Sequence, residues 1–187
     1  MAVGAKTACG VVVGPVFVSA FTAIGARRAG YDWRRHAVSS LADGPEGWAQ
    51  RANFMLVGAL YCVAAQGLAQ SPRRAVGPSV VPALIFGAGV GLIGSGLFVT
   101  DPVAGFPPSE HDPDGIDGAP PIVEVTREGR LHNLCAIPTF AGIPAAALTC
   151  AGSAARRREY RCAGRSPAGS SARARRPDRK RQLGEVA

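Results

Sequence analysis

His36, Ser39, Ser40, Asp101 and His132 are the side chains of this 187-residue sequence best suited to chemistry. Two imidazoles and a carboxylate can hold a zinc ion and leave one position open for water, as hydrolytic sites do. His36 could also act as a base beside Ser39. Neither reading has a diagnostic spacing, because the chain contains no H-E-x-x-H and no G-x-S-x-G. Each residue also has a plainer use. Asp101 precedes Pro102 and suits a helix end or a turn. Ser39 suits the start of a short interfacial helix. His132 can hydrogen-bond a carbonyl of a neighbouring loop. The structural use is the preferred expectation, no cofactor is expected, and a metal is left open.

Other motif matches are weaker. Gly89, Gly91 and Gly94 fit G-x-G-x-x-G, but a dinucleotide fingerprint needs a strand before it and a helix opening after it. Here the run lies inside a continuous apolar stretch, so helix packing is expected. Asp112, Asp114 and Asp117 alternate without the glutamate of a calcium loop, which makes a solvated acidic loop the expectation. Cys9, Cys62, Cys135 and Cys150 fall in apolar stretches with no C-x-x-C pair; they read as small apolar residues.

The elements that must position these groups are membrane spans. Crossing about 30 Å of hydrocarbon takes about 20 mostly apolar residues. Four stretches qualify, at about 8–26, 52–70, 78–100 and 133–154. They are apolar all round, whereas a soluble core helix is apolar along one stripe. The first is longer than the apolar region of a signal peptide, so it reads as a retained helix. Gly10 and Gly14 in the first, and Gly87, Gly91 and Ser95 in the third, recur every fourth residue and suit close packing in lipid. Pro15, Pro82, Pro138 and Pro144 are expected to kink or end local helix. Trp33, Trp48, Tyr31 and Tyr61 suit the interfacial belt.

The formal charge of +8 suggests nucleic acid or an anionic surface until it is mapped. The first 155 residues are neutral overall, and the excess sits in 156–187. That Arg/Ala/Gly/Ser/Pro-rich segment cannot bury a core and is expected to be disordered. It has a single aromatic residue, Tyr160, so no nucleic-acid partner is expected; the lipid bilayer is the expected partner. An even number of spans puts both termini on one side. Counting the basic tail, the positive-inside rule makes that side the cytoplasm. The loops at 27–51 and 101–132, which hold most of the candidate residues, then lie on the opposite side.

The ordered set His36-x-x-Ser39-x-Leu41 after the first span, Phe98-x-x-Asp101-Pro102 ending the third, and His132 opening the fourth resembles the bacterial membrane-protein family catalogued as domain of unknown function 998. The resemblance covers about residues 8–155. It implies a polytopic bundle in the cell membrane, usually of about six spans, and no established activity. In place of further apolar helices this chain has the basic segment, which reads either as a genuine tail or as a truncated, frameshifted end.

The sequence therefore predicts an all-α integral membrane bundle of four transmembrane helices (residues 1–155) with a disordered basic C-terminal tail (156–187). Its role is expected to be structural or accessory in the cell envelope. The alternatives are a membrane-embedded metal- or His/Ser-dependent hydrolase acting on a lipid or envelope substrate, and a small neutral-solute transporter. The spans carry no interior ionisable residue, which argues against ion coupling.

Overall fold

The computed structural model describes residues 2–71, 79–102, 106–107 and 125–163. Four helices are long and apolar enough to cross a membrane: α1 (Val3–Arg27), α2 (Trp48–Gln70), α3 (Val80–Leu97) and α4 (Arg127–Ala163). A short 3-10 helix, Val38–Ala42, lies between α1 and α2. All described regular structure is helical, as a bilayer demands, because a helix satisfies its own backbone where no water can.

The apolar stretches locate the helices, but charge marks the edge of the hydrocarbon rather than the end of a helix. α1 begins before Lys6, and Lys6 Nζ donates to Gln70 Oε1 of α2 at 3.2 Å. α4 begins at Arg127 and runs on through Arg156 to Ala163. The expected disordered tail therefore starts too early at 156; its first residues extend the last helix. Residues 164–187 lie outside the described residues, as do His111 and the acidic run 112–117.

The helices pack in chain order: α1 on α2, α2 on α3, α3 on α4. The end helices α1 and α4 are not a closely packed pair. Burial follows this order, with an apolar 18-residue stretch of α1 only 6% buried and that of α2 39%. The core gathers Val13, Phe54, Val57 and Leu92, with Phe17 and Tyr61 packed against it. The Phe17 ring meets Phe21 edge-on at 5.3 Å and Phe54 at 5.9 Å.

Glycine sets the close approaches. A Cβ at Gly58 would lie 2.5 Å from the Gly89 carbonyl oxygen, and one at Gly89 would lie 2.7 Å from that of Gly58. Gly91 and Gly94 meet α4 instead, at Cys135. The G-x-G-x-x-G run is thus helix packing, with its glycines divided between two neighbours. The expected four-residue face fails at two places, because Gly14 and Gly87 have nothing within 4 Å of a Cβ position.

The prolines do not end the helices that hold them. Pro15, Pro138 and Pro144 lie inside helices that continue past them. Each removes one backbone donor. Pro82 falls in the first turn of α3, where the missing donor has no intrahelical acceptor. Thr139, the residue after Pro138, donates from Oγ1 to the Ala88 carbonyl of α3 at 3.0 Å.

Candidate functional site

The polar residues gather at the end of the bundle where α1 and α3 finish and α2 and α4 begin. The chain leaves α1 through Gly30, whose φ of 77° is the left-handed conformation that glycine adopts without strain. A tight turn follows. Asp32 Oδ1 accepts from the Arg34 amide at 2.8 Å, and the Asp32 carbonyl accepts from the His36 amide at 2.8 Å. The Asp32 amide in turn donates to His36 Nδ1 at 2.9 Å. Since Nδ1 accepts, a neutral His36 carries its proton on Nε2.

The His36 ring stacks on Phe106 at 5.1 Å, and Tyr31 meets the same ring edge-on at 5.5 Å. Phe106 is fully buried. The Arg28 guanidinium lies 5.7 Å from the centre of that ring, donates to the Asp43 carbonyl and pairs with Glu46 at 3.5 Å. This cluster ties the loop before α4 to the loop after α1. The 3-10 helix sits beneath it with Ser40, Leu41 and Ala42 buried.

Burial raises the Tyr31 phenol above its usual range, and the nearby Asp32 charge adds to that. The folded protein therefore holds this proton more tightly than the unfolded chain. The associated stability is complete below the ordinary tyrosine value of about 10 and is lost as pH rises through the folded value. In a Tyr61→Phe/Tyr160→Phe background, phenolate absorbance should rise with a midpoint above about 10. A midpoint at or below it would contradict burial of the ring.

The last carbonyls of α3 have no partners within the helix. Neighbouring helices supply them. Arg51 of α2 donates through Nε to the Gly96 carbonyl at 3.0 Å and through Nη2 to that of Leu97 at 3.4 Å. His132 Nδ1 lies 2.9 Å from the Phe98 carbonyl oxygen. A carbonyl only accepts, so His132 carries its proton on Nδ1, the opposite arrangement to His36. His132 is buried, with its ring edge toward Phe54 at 6.3 Å.

The first turn of α4 is capped in the same manner. Thr126 Oγ1 accepts from the Gly129 amide at 2.9 Å, as an N-cap residue does. Asp101 reaches across to accept from the Thr126 hydroxyl at 2.6 Å and the Thr126 amide at 3.2 Å. Its negative charge thus sits at the positive end of a helix dipole. The absence of a side chain at Gly129 leaves room for the Asp101 carboxylate, which a Cβ would displace.

Of the five residues singled out in the sequence, Ser39 and His132 line one groove, between α1 and α4. His36 and Asp101 do not line it. Ser40 is buried behind it with no hydrogen-bond partner for its hydroxyl among the described residues. Gln50 and Asn53 are buried too and bonded to each other at 3.3 Å. Among the described residues, no group of three or more His, Cys, Asp or Glu is placed to hold a metal ion.

Sequence reasoning missed Arg28, Arg51, Phe106 and Thr126. Only Thr126 left a signal, as a threonine three residues before Gly129 at the opening of a helix. Compared with known proteins, residues 11–170 match the family model described as "Protein of unknown function (DUF998)". No curated protein and no solved structure matches the chain.

Proposed function

We propose that this chain, which belongs to the DUF998 family, serves the cell envelope as a structural or accessory membrane component. Its polar residues fasten a cap onto the bundle. The observation that carries this reading is the use made of three of the four candidate catalytic groups. His36 Nδ1 takes a turn amide, His132 Nδ1 meets the α3 terminus, and Asp101 holds the α4 terminus. Each is committed to backbone at a different joint of the cap. Catalytic groups, by contrast, converge on one reacting atom. In a strain lacking the protein, His36→Ala, Asp101→Ala and His132→Ala should lose function only in proportion to the folded protein lost. A variant with wild-type amount and melting behaviour but no function would favour a hydrolase acting on a lipid or envelope substrate.

Both termini are assigned to the cytoplasm and the cap to the opposite face. The support is the excess of basic residues in 156–187. A reporter inserted at Pro113 should signal from the non-cytoplasmic side and one after Ala163 from the cytoplasm. A cytoplasmic signal at Pro113 would reverse the assignment.

A further inference from the structure

The groove between α1 and α4 has a cavity volume of about 380 Å³ and is walled largely by apolar side chains, including Phe17, Val18, Leu92 and Phe140. Its lips are open: Val18 is 51% and Phe140 80% exposed. In water such a cleft would be an aggregation hazard. In a bilayer it faces hydrocarbon.

Its depth decides what fits. All four helices contribute lining residues no farther from the cap than about their middles, from His132 at one end to Gly14, Tyr61 and Ile143 at the other. Along α4, His132 to Ile143 rises about 16 Å at 1.5 Å per residue. Half of a 30 Å hydrocarbon core is about 15 Å. The groove therefore runs from the interface to about the bilayer midplane. A spanning helix, from another protein or a second copy, needs a trough of full thickness. One lipid tail needs this half alone.

The two ends of the groove differ chemically in the same sense. The deep part is hydrocarbon-like. The interfacial end carries the Ser39 hydroxyl, the Asn133 amide and His132. With its Nδ1 proton directed at the Phe98 carbonyl, neutral His132 keeps Nε2 as an acceptor. These groups sit at the level where a phospholipid has its ester carbonyls and headgroup.

We propose that this groove is a lipid-binding site. It takes one acyl chain of a phospholipid from the leaflet on the capped side, with the ester region against Ser39 and Asn133. The site does not depend on the cap being catalytically inert, so it stands or falls separately from the accessory role.

The test uses the full chain in vesicles of phosphatidylethanolamine and phosphatidylglycerol, doped with a phosphatidylglycerol bearing a diazirine at the end of one chain. Irradiation should place adducts on α1 and α4 residues that line the groove. Gly14→Leu fills the groove from a position with free space around it, and labelling there should fall by about tenfold, the equivalent of about 1.4 kcal/mol. Gly87→Leu also points into free space but does not line the groove, and it should label like wild type. Should Gly14→Leu fail to fold, Ala136→Phe blocks the same groove from α4. Undiminished labelling in a folded blocking variant would overturn the proposal. So would efficient disulfide formation between Val18→Cys of one copy and Phe140→Cys of another, which would place a second copy in the groove.

Discussion

Gly58→Val is expected to remove most of the folded protein. A Cβ at this position would stand 2.5 Å from the Gly89 carbonyl oxygen, 2.8 Å from Ile93 Cγ1 and 3.0 Å from the Ile93 amide nitrogen. Two of those three atoms are backbone, so no change of rotamer relieves the collision. The α2 and α3 axes must separate, and packing is what holds helices together in lipid. Overpacking a well-filled site costs about 1–3 kcal/mol, and a backbone collision belongs at or above the upper end. Gly89→Val should behave alike, since its Cβ would meet the Gly58 carbonyl and Cys62. Gly87→Val is the control, in the same helix with free space around it. Detergent-extracted protein on a sizing column separates the outcomes. The two packing variants should be lost or aggregated and the control monodisperse. A monodisperse Gly58→Val protein with unchanged melting would refute this helix pairing.

Asp101→Ala is expected to release the start of α4 and lower stability by about 2 kcal/mol. The estimate follows from losing hydrogen bonds to an ionised acceptor, each worth about 1.5–3 kcal/mol, in an exposed setting that argues for the lower part of the range. Both the Thr126 amide and its hydroxyl lose their partner. Asp101→Asn keeps one acceptor oxygen and should lose less than half as much. Thr126→Ala removes the cap on Gly129 and should cost about 1 kcal/mol. Because Asp101 and Thr126 act on each other, the double variant should be less destabilised than the two singles added together. Thermal melting in detergent gives all four values. Equal melting of Asp101→Ala and wild type would remove Asp101 from the cap.

The four spans were legible in the sequence because long uncharged runs have one physical use in a chain this short. The polar residues worth attention were legible as well, but not their exact places: α3 stops at Leu97, so Asp101 lies in the loop beyond it and caps α4, and α4 starts at Arg127, so His132 lies within it. Their partners were not legible. Arg51 reaches the α3 carbonyls from the start of α2, a pairing across 45 residues that no local pattern encodes. Phe106 lies in a loop, and only the folded chain brings it under His36. The glycine faces were read at an interval of four. The structure instead sends Gly89 to α2 and Gly91 to α4, and the reason is that α3 sits between two helices and must be narrow on two sides. The start of the tail was misplaced because arginine ends a hydrophobic run without ending a helix.

The central claim is that a four-span bundle carries a folded, backbone-anchored cap at one end. Hydrogen exchange of the wild-type chain in lipid nanodiscs measures it directly. The amides of His36, Ser40 and Asp43, bonded to the carbonyls of Asp32, Ala37 and Ser40, should exchange slowly along with the spans. The Phe98 amide, bonded to the Gly94 carbonyl, should do the same. Exchange of these cap amides at the rate of unstructured chain, with the spans still protected, would contradict the account.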